Sequence, residues 1–349
     1  MDLAPGISAH QVDTGRLRVH YLEAGPRDGL PVLLIHGNLS TARFYEPLIA
    51  SAPAGYRVIA PDMRGFGDTE RTPIDATRGL RDWADDAASL LVTLGLQAAP
   101  HVVGWSTGGA AVAQYAIDRP VASITFIDPV SPYGFGGVHR DGTPCFPDWA
   151  GSGGGTGNPD FTARIAAGDR GDESPFSPRN VMNTSYWAPT HRESPEREDL
   201  LLDELLKSVT GDDGYPGDSI PSENWPGVAP GTRGILNALS GRYCNWSGIV
   251  EIEPKPPILW THGTADIVIA DGSAWEMGSL GAAGHVPGWP GMEVYPPQPM
   301  VTQIREVLTA YADRGGRVRM EMFDGSGHSP NLDAAERWTA LFWDHVISA

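Results

Sequence analysis

Residues 101–108 read His-Val-Val-Gly-Trp-Ser-Thr-Gly and constrain this chain more than any other stretch. A short β-branched run feeds Gly104-Trp105-Ser106-Thr107-Gly108, which matches G-x-S-x-G, and the small residues Gly109-Ala110-Ala111-Val112-Ala113 continue as a helix. Strand, sharp turn and helix in that order put the serine on the turn, with its hydroxyl exposed above a sheet. Gly104 and Gly108 are needed because so tight a turn leaves no room for their Cβ atoms. A serine hydroxyl alone is a poor nucleophile at neutral pH, so a working site needs a base, an orienting acid and an oxyanion hole from elsewhere in the chain.

Alternating strand and helix patterns fill both ends of the sequence. Arg16–Ala24 alternates through Leu17, Val19 and Tyr21 and reads as an early antiparallel strand. Val32–Ile35 and Arg57–Ala60 are continuous apolar runs, as expected of strands buried on both faces. Leu80–Leu94 carries a helical apolar stripe, with Asp82, Asp85 and Asp86 on the other side. Further strands are expected at Ser123–Ile127, Ile258–Trp260 and Val318–Phe323, with helices near Thr302–Ala312 and from Asp333. Strands separated by helices imply right-handed βαβ units and a mostly parallel sheet.

The rhythm breaks after Pro129. Residues 131–255 hold few strand signals, one clear helix starting near Ser194-Pro195-Glu196, and a run Gly151–Gly157 that reads equally as a hinge or a surface linker. The expected organisation is a core of residues 1–130 and 256–349, with 131–255 inserted as a mainly helical and irregular cap. A second irregular insertion runs from Ala270 to Met300 and is rich in Gly, Pro and Trp.

The net charge of −18 argues against nucleic acid as a partner, because phosphate backbones are bound through clustered Lys and Arg. Cys145 and Cys244 do not make a disulfide framework; the plain expectation is two free thiols. The first residues lack a basic region followed by an apolar run, and no apolar stretch is long enough to span a bilayer, so a cytoplasmic protein without a membrane partner is expected. Neither a metal nor a cofactor is expected: no His/Asp/Glu cluster has ligand spacing, and no phosphate loop follows the first strands. The oligomeric state stays open, a homodimer included.

Each missing catalytic piece has a candidate at a strand end. His328, in Gly325-Ser326-Gly327-His328-Ser329-Pro330, follows the last strand, and imidazole is the side chain that takes and returns a proton near pH 7. Asp266, after the strand Ile258–Trp260, can accept from the imidazole N–H and fix its tautomer. Asp128, ending the strand before it, is the alternative acid. The oxyanion hole is expected from the backbone N–H groups of Thr107 and Asn38, with Gly37 letting the loop turn in close and His36 bracing it.

In this order and spacing the chain resembles an α/β-hydrolase-fold serine hydrolase with an inserted cap. The resemblance is carried by His36-Gly37-Asn38, Asp62-Met63-Arg64-Gly65-Phe66-Gly67, Gly104–Gly108, Gly263-Thr264-Ala265-Asp266 and Gly327-His328, across residues 15–130 and 256–349. It implies a mostly parallel eight-stranded sheet flanked by helices, and an acyl-enzyme formed on Ser106. The motif at Asp62–Gly67 is expected to be structural, an Asp/Arg-braced turn. Haloalkane dehalogenases and epoxide hydrolases of this fold use an aspartate where this chain has Ser106, which disfavours both activities. The insertion at 270–300 is longer than the family usually shows there.

Aromatic residues, among them Trp105, Tyr133, Phe135 and Trp187, suit a bulky apolar group. The expected partner is a small-molecule hydrophobic substrate, a medium-sized carboxylic ester or lactone. Carbon–carbon bond hydrolysis of a β-diketone-type substrate, amide or peptide cleavage and hydroxynitrile lyase chemistry fit the same triad. A non-catalytic ligand receptor of the same fold is the alternative from a different class.

Overall fold

The computed structural model describes residues 3–349. Eight strands form one sheet: β1 (Ser8–Asp13), β2 (Arg18–Ala24), β3 (Leu30–Ile35), β4 (Tyr56–Pro61), β5 (His101–Trp105), β6 (Ser123–Ile127), β7 (Ile258–Gly263) and β8 (Val318–Phe323). Their order is β1-β2-β4-β3-β5-β6-β7-β8. The β1–β2 and β2–β4 pairs are antiparallel and the rest are parallel. Strands β5, β6 and β7 are buried along their whole length, as continuous apolar runs require. β1 has no counterpart in the sequence reading. Its residues Ser-Ala-His-Gln-Val-Asp lie on the sheet edge and are almost all exposed, so no apolar face marks them.

Register decides where chemistry can sit. Ile35 pairs with Gly104, Trp105 with Ile127, and Ile127 with Thr261. The carboxyl ends of β3, β5, β6 and β7 therefore align, and the loops carrying Asn38, Ser106, Asp128 and Asp266 leave from one rim. Ligands of open parallel sheets bind outside that rim.

The helix Arg81–Thr93 buries part of the side opposite its apolar stripe. Its acidic face is not a solvated one: Asp82 and Asp86 are buried. Asp86 accepts from Arg16 Nε at 2.6 Å and from Arg64 Nε and Nη2 at 2.9 and 3.0 Å, and Asp82 accepts from Arg78 Nε at 2.9 Å. The Asp62–Gly67 turn is braced from both sides. Besides the Arg64–Asp86 pair, Asp62 takes the Ala42 and Asp68 N–H groups and His20 Nδ1. A Cβ on Gly67, whose φ is +61°, would come within 2.2 Å of Asp62 Oδ2.

The long β6–β7 connection holds helices at Pro159–Ala166, Pro178–Ser185, Pro195–Leu206 and Ile235–Leu239, with two short strand pairs. The helix at Pro195 begins as its sequence predicts, with Ser194 Oγ accepting from Arg197 N–H. The glycine run is not a slack surface linker along its first half. Gly151, Gly153 and Gly154 are buried, Gly154 N–H donates to Asn237 Oδ1 at 2.8 Å, and a Cβ on Gly151 would strike the Tyr295 hydroxyl. Tyr295 belongs to the 270–300 insertion and donates to Gly151 O at 3.0 Å. Gln298 Nε2 likewise donates to Gly134 O at 3.0 Å, so that insertion is built against the β6–β7 connection. Cys145 and Cys244 are both free thiols. Among the described residues, no helix is long and apolar enough to cross a membrane.

Candidate active site

Ser106 follows β5 and opens the helix Thr107–Asp118, with φ 54° and ψ −116°. A serine pays a conformational cost to hold that backbone, and such strain persists only where packing over-determines it. The packing is visible. Cβ atoms on Gly104 and Gly108 would lie 2.2 Å from Gly108 O and 2.1 Å from Ile35 O, so only glycine fits either position. The Ser106 carbonyl accepts from Gly109 and Val130, and its N–H donates to Ile127 O at 2.9 Å. The turn is thus pinned to β3, to β6 and to its own helix.

The loop after β3 lies against this turn. A Cβ on Gly37 would come 3.3 Å from Ser106 Cβ. His36 braces the loop as expected: Nδ1 donates to Gly37 O at 2.7 Å and Nε2 accepts the Met63 N–H at 2.9 Å. Burial lowers its pKa to about 4, so the ring is neutral and can play both parts. Among the described residues, neither the Asn38 nor the Thr107 backbone N–H has an acceptor. Thr107 stands at a helix N-terminus, where an unpaired N–H and the dipole favour negative charge.

His328 Nδ1 and Asp266 Oδ2 are 2.8 Å apart, and both side chains are buried. A carboxylate only accepts, so Nδ1 carries the hydrogen and the neutral ring keeps its lone pair on Nε2. Asp266 Oδ1 accepts from the Val268 and Ile269 amides at 2.7 and 3.1 Å. Burial alone would raise the Asp266 carboxyl. The His328 charge and hydrogen bond, with help from His262 and the Val268 N–H, outweigh burial and hold it below the usual carboxylate range. Trp105 ties the two halves together. Its Nε1 donates to His328 O at 2.7 Å, and its ring lies 5.7 Å from the imidazole. The Ser106 hydroxyl itself has no hydrogen bond to His328 or to any other described residue. Catalytic hydrogen bonds are often long in unliganded sites and tighten once substrate is bound.

The other expected residues are less closely grouped. Asp128 lies buried beside Asp266, with Gly263 N–H donating to its Oδ1 at 2.9 Å and no contact to His328. Trp187 is buried and stacks edge-on with Tyr186 and His191; its backbone lies against Gly327, beside the His328 loop. Tyr133 packs over Gly142, with Glu306 and Asp141 as its charged neighbours, and Phe135 is tied through its N–H to Leu239 O. No ring contact joins either of them to Trp105 or His328.

Two residues at the site were given no role of their own there in the sequence reading. Tyr186 packs edge-on to Trp105 at 5.5 Å, near Phe44, and donates to Leu39 O at 2.9 Å. Asp333 accepts from Gly327 N–H at 2.7 Å, from Ser326 Oγ, and from Ala188 N–H at 2.8 Å. Among the described residues, two groups also have the spacing of a metal site in space, though not along the chain: His20, Asp62 and Asp68, and Asp128, His262 and Asp266. The first is already engaged, His20 with Asp62 at 2.7 Å and Asp68 with Lys207 at 2.6 Å.

Comparison with known proteins gives the same architecture. The profile of the Alpha/beta hydrolase family matches residues 32–341. A haloalkane dehalogenase of Mycobacterium marinum is 43% identical over 70 residues, which are 18% of this chain and 24% of that protein. The chain thus spans about a quarter of the length of that relative. Among solved structures, an esterase from Exiguobacterium antarcticum aligns with TM-score 0.56 and 17% identity over 95% of this chain and 96% of its own. An N-acyl homoserine lactonase, solved as a mutant with N-hexanoyl homoserine, aligns with TM-score 0.55 and 18% identity over 97% of this chain and 96% of its own. At these identities the two structures speak for the fold.

Proposed function

The chain belongs to the alpha/beta hydrolase family, and from that premise we propose that it is a serine hydrolase acting on a medium-sized hydrophobic carboxylic ester or lactone. Ser106 Oγ attacks the carbonyl carbon while His328 Nε2 takes its proton. Negative charge gathers on the carbonyl oxygen, which is received by the N–H groups of Asn38 and Thr107. Collapse expels the alcohol, protonated by His328, and leaves an acyl-enzyme. Water, deprotonated by the same imidazole, then releases the acid and returns Ser106. Asp266 holds the ring and stabilises the imidazolium that forms in each half.

The observation that carries this reading is the coincidence at one rim of a strained serine, two unpaired amides and a buried imidazole–carboxylate pair. A serine alkoxide displacing halide from an alkyl chain would leave an ether that water cannot cleave, which separates this chemistry from that of the dehalogenase relative. Phe44, Trp105 and Tyr186 form a connected aromatic wall beside the serine, and this supports an apolar substrate.

The test is a fluorophosphonate probe followed by a panel of p-nitrophenyl esters, lactones, amides and β-diketones. Labelling at Ser106 with turnover of esters or lactones is expected. Absence of labelling points to a receptor; labelling with turnover of diketones or amides alone replaces the substrate class.

A further inference from the structure

Behind the Asp266–His328 pair, the ends of β6 and β7 bring a second carboxyl group and a second imidazole together. One carboxyl oxygen each of Asp128 and Asp266 and one ring nitrogen of His262 lie within 4.8 Å of one another, and all three residues are buried. His262 Nε2 is 2.9 Å from the carbonyl of Ile269. A carbonyl only accepts, so Nε2 bears the ring hydrogen. Burial holds the His262 pKa below its ordinary value, which leaves the ring neutral and Nδ1 with a lone pair. That Nδ1 lies 3.5 Å from Asp128 Oδ1 and, among the described residues, has no donor. Asp128 Oδ2 has none either.

Acceptors therefore face acceptors in an enclosed space. Asp266 is well supplied, by His328 on Oδ2 and by two amides on Oδ1. Asp128 has one amide for two oxygens. A buried carboxylate left that short of donors is costly, and one proton removes the conflict.

We propose that Asp128 is a neutral carboxylic acid that donates its hydrogen to the Asp266 carboxylate and so positions the acid of the Ser106 site. Its kinetic consequence rests on the serine hydrolase reading; its protonation state does not. The groups facing Asp128 agree in sign. Burial comes first, then the negative charges of Asp266 and Asp333; together they push its carboxyl well above the usual range against the single Gly263 N–H. His262 from β7 is neutral, and His328, from the loop after β8, is engaged with Asp266. Asp128 is thus a positioning residue, acting through Asp266 on His328.

The experiment has a spectroscopic and a kinetic arm. Infrared difference spectra of the resting protein, wild type against Asp128→Asn, are expected to show a protonated-carboxyl band at neutral pH that the variant lacks. The band is also expected on a Ser106→Ala background, where no turnover occurs. Asp128→Leu removes the donor while keeping the branched outline of the side chain. It is expected to lower kcat at least about tenfold, the lower end of the range for a hydrogen bond to a charged group, with KM little changed. Asn, which can donate to Asp266 and accept from Gly263, is expected to restore most of the loss. No protonated-carboxyl band in wild type overturns the proposal, as does a stoichiometric divalent ion in the purified protein whose removal abolishes activity. So does a loss of about 10⁴ in kcat for Asp128→Asn, since that is the cost of neutralising a working triad acid. If the serine proves unreactive, the hydrolase reading fails while the infrared arm still decides the state of Asp128.

Discussion

The Tyr186 hydroxyl donates to the carbonyl of Leu39 over 2.9 Å, reaching from the β6–β7 connection to the residue that follows Asn38. Leu39 holds φ at 51°, a left-handed conformation that a leucine adopts only under constraint. Two residues beyond Tyr186, the Ala188 N–H donates to Asp333, which also takes the Gly327 N–H next to His328. One strip of the connection, residues 186–188, therefore touches both the loop that would supply an oxyanion donor and the loop that carries the imidazole. Closure of this strip and assembly of the site are the same set of contacts.

Tyr186→Phe tests that link. It keeps the ring against Trp105 and deletes only the hydrogen bond, worth about 0.5–1.5 kcal/mol. If the bond aims the Asn38 amide, the cost falls on the transition state, so kcat is expected to drop by up to about tenfold with KM little changed. Steady-state kinetics with the preferred ester or lactone checks it. An unchanged kcat would mean that His36 and Ser40, whose Oγ donates to Gly37 O at 2.9 Å, hold the loop unaided.

The three central side chains are expected to act as a unit. Ser106→Ala or His328→Ala should each remove about 10⁴–10⁶ of turnover while leaving the fold intact, and adding the second change to the first should cost little more. Asp266→Asn is expected to cost about 10⁴, because the amide favours the wrong imidazole tautomer. Single and double variants, measured for kcat and for thermal unfolding, separate lost chemistry from lost structure.

How far these features could be read from the chain depended on what each residue answers to. The G-x-S-x-G turn was legible because glycine is the sole residue that fits at 104 and 108, and the inner strands because burial on both faces imposes apolar runs. Asp266 and His328 were legible as polar residues placed just after such runs. β1 was not, since an exposed edge strand is held by backbone pairing that any sequence can make. The role of Asp86 was hidden for another reason: spacing on a helix cannot tell a solvated carboxylate from one met by Arg16 and Arg64, which come from distant segments. Tyr186 and Asp333 gave no local signal at all, because their partners lie on the other side of a long connection.

Asp86 offers a stability test of that hidden network. Its carboxylate is buried and meets two guanidinium groups, with Arg64 mostly sheltered and Arg16 about one-third exposed. Removing one partner of a buried ion pair typically costs about 3–5 kcal/mol; the exposure of Arg16 places Asp86→Ala at about 3 kcal/mol. Urea unfolding should show a lower midpoint at unchanged slope, since the surface exposed on unfolding stays the same. A change within a few tenths of a kcal/mol would mark the helix face as solvated after all.

Acid should weaken the fold through its buried imidazoles before the ordinary carboxylate range is reached. Burial lowers the pKa values of His36, His101 and His345 from 6.5 to about 4. In the unfolded chain these rings take up protons as the pH falls through 6.5, while in the folded protein they stay neutral down to about 4. Across that window the unfolded state binds more protons, so stability is full above pH 6.5 and declines as pH falls. His20 works the other way: burial opposes its charge, but the Asp62 hydrogen bond and charge raise its pKa, so its contribution is present in acid and lost as pH rises. His262, lowered by burial, adds to the loss, while the buried carboxyls of Asp128 and Glu276, raised by burial, side with His20. Four lowered imidazoles against these three groups leave a net loss toward acid. Asp266, held below the ordinary carboxylate value, adds its own loss only at lower pH. Melting temperatures measured from pH 7 downward should therefore fall well before the carboxylate range. His101→Gln, which removes one of the buried rings with a lowered pKa, should make the decline shallower. A flat profile over this window would show that the buried imidazoles are protonated in the folded protein as readily as in the unfolded chain.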